Sequence, residues 1–171
     1  EELSQLLANL EINSEQYFDV VLSRAPYLEA VIKETMRRYT PTSSMNRVCT
    51  KDGYRLREDI TLYKDQVVVI PTVAIHLNEE FHPDPMRFNP DRFMPENKDR
   101  LVPYSFLPFS LGPRNCIAMR FAYQEIKLCL ATIVQKYYFE PTEETPTELS
   151  FKPHPGSLLV ANPFSVKVCK R

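Results

Sequence analysis

The sequence predicts a mainly α-helical fold with small β-sheets, on three observations. Apolar residues repeat at helical spacing over the first forty residues, short runs of β-forming residues follow from 46 to 70, and an apolar helix extends from about 117 to 136. The 171 residues, 43% hydrophobic and 25% charged, have the composition of a globular chain about one domain long. This composition disfavours disorder, and 15 prolines against 3 glycines exclude a flexible linker.

Three helical segments are predicted at the start of the chain. Leucines at 3, 6, 7 and 10 share one helical face, and Asn13-Ser14 provides a cap before a second segment at 15–22. The third helix, at 26–39, has Pro26 in its first turn, where a missing N–H costs nothing, and Pro41 beyond its end. Its apolar positions form one face, as expected of a helix that packs on a core.

The middle of the chain changes from short strands to an irregular segment. Runs at 47–50, 60–63 and 67–70, broken by an Asp52-Gly53 turn, predict one small sheet, and 72–77 predicts a single helical turn. From 81 to 114 there is no periodicity, only seven prolines among aromatics, and so long an irregular stretch usually has a functional reason. Six aromatic residues are expected to hold it on the core: Phe81, Phe88, Phe93, Tyr104, Phe106 and Phe109.

The predicted helix at 117–136 is apolar except for one narrow stripe, formed by Arg120, Gln124 and Lys127. We therefore expect it to be buried in a larger body, with the stripe solvated. An alternative is that Arg120 and Lys127 meet an acidic electron donor. Runs at 137–140, 149–151, 158–160 and 165–168 predict strands, with a turn at Pro155-Gly156.

Charge and cysteine usage exclude several functions. With 21 Lys+Arg mixed among 22 Asp+Glu, the chain lacks the basic excess that nucleic acid binding requires. No apolar run approaches the roughly 18 residues of a membrane-spanning helix. The cysteines, at 49, 116, 129 and 169, have no zinc-module spacing, and each taken singly is expected to be a buried, unpaired small side chain.

The segment 109–118, FSLGPRNCIA, places Cys116 where the irregular stretch enters the long helix. The free N–H groups and positive dipole at a helix start favour a thiolate there. Gly112 permits a tight turn or the approach of a flat partner, Phe109 can cover the sulfur, and Arg114 can meet a carboxylate. The structural alternative is an inert buried cysteine beside a loop glycine.

This segment resembles the haem-binding loop of the cytochrome P-450 family, F-x-x-G-x-R-x-C-x-(G/A). Ala118 stands where glycine is commoner, and it would tighten the approach of the helix to the porphyrin. The run PRNCIAMRFA, 113–122, looks most like the animal microsomal family 3 branch. The resemblance implies a haem (iron protoporphyrin IX) whose iron is ligated by Cys116.

Two further motifs of that family are present in the expected order. Glu34-Thr35-Met36-Arg37 resembles the E-x-x-R of the K helix, and FNPDRF at 88–93 resembles the later P-E-R-F segment, with Asp91 in place of Glu. The resemblance implies a charge network of Glu34, Arg37 and Arg92 that holds the irregular segment on the helix. The alternative for Glu34 and Arg37 alone is a solvated helical pair.

The resemblance also implies binding residues away from the cysteine. Arg47 and Arg114 match family arginines that pair with the haem propionates, although Arg47 is equally an ordinary edge-strand residue. The positions that match the substrate cavity are also ordinary turn residues: Thr42, Ser43, Ser44 and Met45 after the K helix, and Ser157 and Leu158 in the C-terminal hairpin. His76, His82 and His154 are expected to have surface or packing roles.

The function that the resemblance implies is a haem-thiolate monooxygenase, which inserts one oxygen atom from O2 into an apolar substrate of steroid, fatty acid or xenobiotic type. NADPH would supply electrons through a flavoprotein reductase, with a cytochrome b-type donor or a ferredoxin as alternatives. The intact protein is expected at the cytosolic face of the endoplasmic reticulum membrane rather than in mitochondria. Family members that isomerise peroxides without a reductase share the same loop.

The resemblance covers only the C-terminal third of the family fold, so residues 1–171 are expected to be an incomplete domain. The membrane-anchoring N-terminal part and the central oxygen-activating helix have no counterpart here. We expect the isolated chain to be inactive as a monooxygenase and to bind haem poorly. The alternatives are a short protein that sequesters or senses haem and a structural domain whose cysteine is inert.

Overall fold

In the computed structural model, which describes residues 2–152 and 158–171, three helices form the first layer. Helix α1 spans Glu2–Leu6, α2 spans Glu15–Ser23 and α3 spans Pro26–Arg38. The Ser14 side chain accepts the Tyr17 N–H at 3.1 Å and so caps α2, as predicted. The Glu2 carboxylate accepts the first N–H groups of α3, from Tyr27 and Leu28, and this joins α1 to α3.

The strands in the middle of the chain form two antiparallel pairs, so the prediction of one small sheet is wrong. Strand β1 (Met45–Val48) pairs with β4 (Val67–Ile70), and β2 (Tyr54–Arg57) pairs with β3 (Ile60–Leu62). Strand β2 was not predicted. Its two arginines lie in a fully exposed strand, where no buried face produces a hydrophobic alternation.

A short helix, α4 (Thr72–His76), precedes the irregular segment, as predicted. Between 77 and 118 the described chain has only 3-10 helices, at Pro90–Phe93, Pro95–Arg100 and Gly112–Arg114. Phe93 is buried and packs on Phe106, with ring centroids 4.6 Å apart. Phe88 and Tyr104 are exposed, so the prediction that they hold the segment on the core is wrong. Tyr104 lies at a turn with φ of +64°, which directs its side chain to solvent, 78% exposed.

The long helix α5 spans Met119–Lys136 and packs against α1, α2 and α3. Of its side chains only Lys127 and Ala131 are buried, whereas Phe121 and Cys129 are exposed. The expectation that the polar stripe faces solvent is therefore wrong for Lys127, which is 8% exposed. It holds for Arg120 and Gln124. Cys129 is likewise not the buried residue that was expected.

The tail forms two further antiparallel pairs. Strand β5 (Tyr137–Pro141) pairs with β8 (Val166–Lys170), and β6 (Phe151–Lys152) pairs with β7 (Val160–Ala161). The predicted Pro155-Gly156 turn lies outside the described residues. No helix in the described part of the chain is long and apolar enough to span a bilayer. The mainly helical fold with small sheets is thus confirmed.

Candidate functional site

The cysteine loop, residues 109–118, is held by its own backbone. The Cys116 N–H donates to the Phe109 carbonyl at 2.8 Å, and the Cys116 carbonyl accepts the Met119 N–H at 3.3 Å. The side chain of Cys116 is exposed and unpaired, three residues before the start of α5. Ala118, at the N-cap, provides no side-chain acceptor, so the positive end of the α5 dipole is left to favour a negative charge beside it.

Gly112 occupies a backbone conformation that other residues rarely adopt, with φ of +80°. A Cβ built on Gly112 would meet no atom within 4 Å. The glycine is therefore required by the turn, and the space beside it is open to an approaching group. Ser110, two residues earlier, also has positive φ, at +64°, so the loop turns sharply twice before Cys116.

An open cavity of about 450 Å³ lies between the cysteine loop and the segment after α3. Its walls bring together six of the residues singled out in the sequence: Thr42, Met45, Arg47, Phe109, Arg114 and Cys116. Among the residues that the structure describes, no aspartate or glutamate lines it. Two guanidinium groups thus share one cavity with an apolar ring and a free thiol. This donor set fits a flat, mostly apolar group that carries carboxylates and a metal able to take a thiolate ligand.

The two arginines of the cavity, Arg47 and Arg114, differ in how firmly their guanidinium groups are held. Arg47 donates from Nη2 to Ser110 Oγ at 2.9 Å and from Nη1 to the Asn46 carbonyl at 2.9 Å, so its guanidinium is fixed beside the cysteine loop. Arg114 is exposed, and within residues 2–152 and 158–171 its side chain makes no hydrogen bond or ion pair. One donor is therefore pre-oriented, and the other is free to adapt to an anion.

The remaining predicted positions lie around this cavity rather than in its walls. Ser43 is half-buried, and its carbonyl accepts the Val73 N–H at 3.2 Å. Ser44 is half-buried, and Ala118 is exposed. Leu158, 51% exposed, pairs with Thr42 in an isolated β-bridge. This bridge places the end of the C-terminal hairpin beside the segment after α3, while Ser157 and His154 lie outside the described residues.

Glu34 and Arg37 form the centre of a buried charge network. Both side chains are 0% exposed, and both Glu34 oxygens accept from Arg37, from Nε and Nη2, at 2.8 Å each. Glu34 Oε1 also accepts the Asn89 N–H at 2.8 Å. Arg92 Nε lies 3.6 Å from the same oxygen, too far for a hydrogen bond but within ion-pair range. One carboxylate thus lies between two guanidinium groups, as the resemblance implies, and not in a solvated pair.

The two arginines of the network also bind backbone carbonyls of the irregular segment. Arg37 donates to the carbonyls of His76 and Pro85, at 2.9 and 2.8 Å, and Arg92 donates to that of Asp84 at 2.8 Å. A buried charge is tolerated only where its hydrogen bonds are satisfied. The network therefore fixes the path of the backbone from α4 to the 3-10 helix at Pro90–Phe93.

Buried histidines extend this support to the cysteine loop. His76 Nε2 accepts the Leu107 N–H at 2.8 Å, and its ring stacks on Phe106. Burial, together with the positive charges of His82 and Arg37, lowers the pKa of His76 to about 4, so the ring is neutral near pH 7 and can accept. His82 Nε2 lies 3.0 Å from the Ser105 carbonyl. The sequence predicted packing or surface roles but gave no sign of these hydrogen bonds.

A cysteine loop that opens onto an arginine-lined cavity, supported by a buried Glu–Arg–Arg network, is the arrangement of the haem-thiolate class of proteins. A family model described as Cytochrome P450 matches residues 8–168. The chain belongs to the cytochrome P450 family.

Similarity to known proteins supports the same family assignment. The chain is 37% identical to Cytochrome P450 3A1 of Rattus norvegicus over all of its residues and 32% of that protein. It is 38% identical to Cytochrome P450 3A12 of Canis lupus familiaris, over 86% of the chain and 29% of that protein. A third relative, Cytochrome P450 3A19 of Capra hircus aegagrus, is 38% identical over 88% of the chain and 67% of that sequence. The resemblance to a portion of a family 3 animal P450 is confirmed, and the chain spans about a third of the first two relatives.

Proposed function

We propose that this chain forms the haem-binding wall of a monooxygenase, in which Cys116 would ligate the iron. The observation that carries the proposal is the shared cavity, which Cys116 enters together with Arg47, Arg114 and Phe109. Thiolate-ligated haem, when bound, supplies the activation of O2 that inserts one oxygen atom into an apolar substrate. Membership of the cytochrome P450 family supports the same assignment.

The residues around the cavity would contribute to haem binding in different ways. Cys116 would hold the iron, and the positive end of the α5 dipole would favour its negative charge. Arg47, already hydrogen-bonded to Ser110, and the exposed Arg114 would bind the two propionates. The open space beside Gly112 would let the backbone approach the porphyrin, and the Phe109 ring would lie beside it in the same cavity. Glu34, Arg37 and Arg92 are positioning residues, which fix the backbone at 76–85 that precedes the loop.

The complete protein would take an apolar steroid, fatty acid or xenobiotic, with Thr42 and Met45 at the edge of the substrate space. Ser43, Ser44, Ser157 and Leu158 belong to the two segments proposed to continue it. Electrons would come from an NADPH-dependent flavoprotein reductase at the endoplasmic reticulum membrane, or from a cytochrome b-type donor. We expect residues 1–171 alone, which span about a third of two of the relatives, to produce no oxidised substrate.

The test is haem reconstitution followed by reduction under carbon monoxide. We expect the wild-type chain to give the strongly red-shifted Soret band of a thiolate complex, and Cys116→Ser to lose it. Cys129→Ser is the matched control, because Cys129 is equally exposed but lies outside the cavity. A band that persists in Cys116→Ser, or that is lost in Cys129→Ser, would contradict the assignment.

A second function, haem capture without turnover, is favoured by one observation. The residues proposed to hold haem all lie within this chain, around a cavity that is open. A thiolate spectrum with no product formation in the presence of a reductase and an apolar substrate is expected of the isolated chain under both functions, so only product formation separates them. Product formation by the isolated chain would exclude capture and would also contradict our expectation of inactivity.

A further inference from the structure

Lys127 joins three helices through one side chain. Its ammonium donates to Glu29 Oε2 on α3 at 2.7 Å and to the Leu22 carbonyl on α2 at 3.0 Å, from a position 8% exposed on α5. Burying a lysine costs free energy unless its charge is paired and its hydrogen bonds are made. Both conditions are met here, so the side chain fixes α5 to α2 and α3 at one point.

Lys127 is the first buried residue along α5. Counting from Met119, the next buried side chain is Ala131, and the turns between Cys116 and Lys127 are exposed or half-buried. Lys127 lies about 12 Å along the helix from Met119, at 1.5 Å per residue. No side chain of α5 closer to Cys116 than Lys127 is fully buried.

A direct path leads from Lys127 to the cysteine. Tyr123 lies one turn earlier on the same helical face, and its ring packs on Phe109 with centroids 5.3 Å apart. Burial and the negative charge of Glu29 raise the pKa of Tyr123 to about 12, so its hydroxyl is neutral at physiological pH. The Phe109 carbonyl in turn accepts the Cys116 N–H. A shift of α5 at Lys127 would reach Cys116 through Tyr123 and Phe109.

Glu29 also forms an ion pair with Lys33, and this pair serves as a comparison for its ion pair with Lys127. Lys33 lies 2.6 Å from Glu29 Oε1, but both residues belong to α3, so this ion pair joins no two elements. Burial raises the pKa of Glu29, but hydrogen bonds from Lys127 and Lys33 outweigh it and hold the pKa below its usual range. The carboxylate is thus ionised at neutral pH and is shared by one bridging lysine and one local lysine.

We propose that Lys127 is a positioning residue, which through its ion pair with Glu29 sets the place of the first turns of α5 and hence of Cys116. The effect of Lys127 on haem ligation rests on the proposed function, in which Cys116 ligates the iron. Lys127 belongs to the polar stripe that was predicted to face solvent or an electron donor, but its ammonium instead contacts Glu29 and Leu22 inside the protein.

The first measurement is amide hydrogen exchange without haem. In Lys127→Met we expect exchange of the amides at 122–126, the first hydrogen-bonded turn of α5, to become about tenfold faster, because charge-assisted hydrogen bonds are lost, while the amides of α3 keep their rates. Lys127→Arg should restore the wild-type rates, and Lys33→Met should not change them. If Lys127→Met and Lys33→Met exchange alike, the proposal is wrong. If Lys127→Met does not fold, Glu29→Gln should give the same local pattern.

The second measurement separates this proposal from the assignment of Cys116. After haem reconstitution and reduction under carbon monoxide, Lys127→Met should give a smaller thiolate fraction at equal haem content, and Lys127→Arg should recover it. A wild-type thiolate band that is unchanged in Lys127→Met overturns the positioning role alone. A wild-type chain without that band overturns the haem assignment, and hydrogen exchange still decides the role of Lys127.

Discussion

The buried charge network and the cysteine loop are the two most chemically distinctive regions of this chain, and they differ in how completely their polar groups are satisfied. Glu34 and Arg37 are inaccessible to solvent, with partners at 2.8–2.9 Å. Cys116 and Arg114 are exposed. The contrast indicates that the network serves the fold, whereas the loop presents groups to a ligand.

The sharpest way to break this comparison is to remove the carboxylate of the network. Glu34→Gln leaves Arg37 and Arg92 without a counter-charge inside the protein, and we expect it to lower the free energy of unfolding by about 3–5 kcal/mol. The measurement is urea denaturation followed by circular dichroism. Asp59→Asn, which removes the carboxylate of the exposed Arg57–Asp59 pair, is the control and should leave stability unchanged. Equal losses in the two variants would show that burial does not distinguish them.

Acid provides the next largest effect on the buried region. His76 has a folded pKa of about 4 against about 6.5 for an unperturbed histidine, so the unfolded chain binds a proton that the folded chain excludes. As pH falls from about 6.5 to about 4, this residue should cost the fold about 3 kcal/mol. In His76→Gln the same acid titration should show a loss smaller by that amount. Parallel titration curves for the wild type and the variant would refute the assignment.

A glycine pair tests the exposed region. Gly112→Ala places a side chain at φ of +80°, and Gly53→Ala does so at +65°, with nothing within 4 Å of either Cβ. Each substitution should lower the free energy of unfolding by about 1 kcal/mol, from backbone strain alone. Only Gly112→Ala should also weaken haem uptake in a spectrophotometric titration. If Gly53→Ala weakens uptake equally, the space beside Gly112 has no special role.

The smallest expected effect concerns the cavity arginines. Arg47→Ala and Arg114→Ala should each weaken haem affinity roughly threefold, since each removes one partly solvated ion pair with a propionate. Arg55→Ala, at an exposed arginine that binds the Glu58 carbonyl, is the control. Affinities that do not depend on salt concentration would argue against propionate pairing by either arginine.

The sequence was sufficient for the helices and for the residues that meet around the cavity, because caps, prolines and a fixed motif are local signals. It was insufficient where tertiary contacts override the pattern. Helical periodicity predicts Lys127 at the surface, but its ion pair with Glu29, almost a hundred residues away in the sequence, holds it inside the protein. Tyr104 looks like a core aromatic, yet a backbone turn exposes it. His76 shows no sequence sign of its bond to Leu107, since that contact depends on the path of the irregular segment.

The most direct test of the central claim, that Cys116 is presented to haem iron by a loop which the buried network supports, is resonance Raman spectroscopy of the ferric, haem-reconstituted chain. We predict an iron–sulfur stretching band that shifts when cysteine sulfur is replaced by its heavier isotope. The band should be absent from Cys116→Ser and retained in Cys129→Ser. A haem-loaded chain with no isotope-sensitive band, or with the same band in Cys116→Ser, would contradict the account.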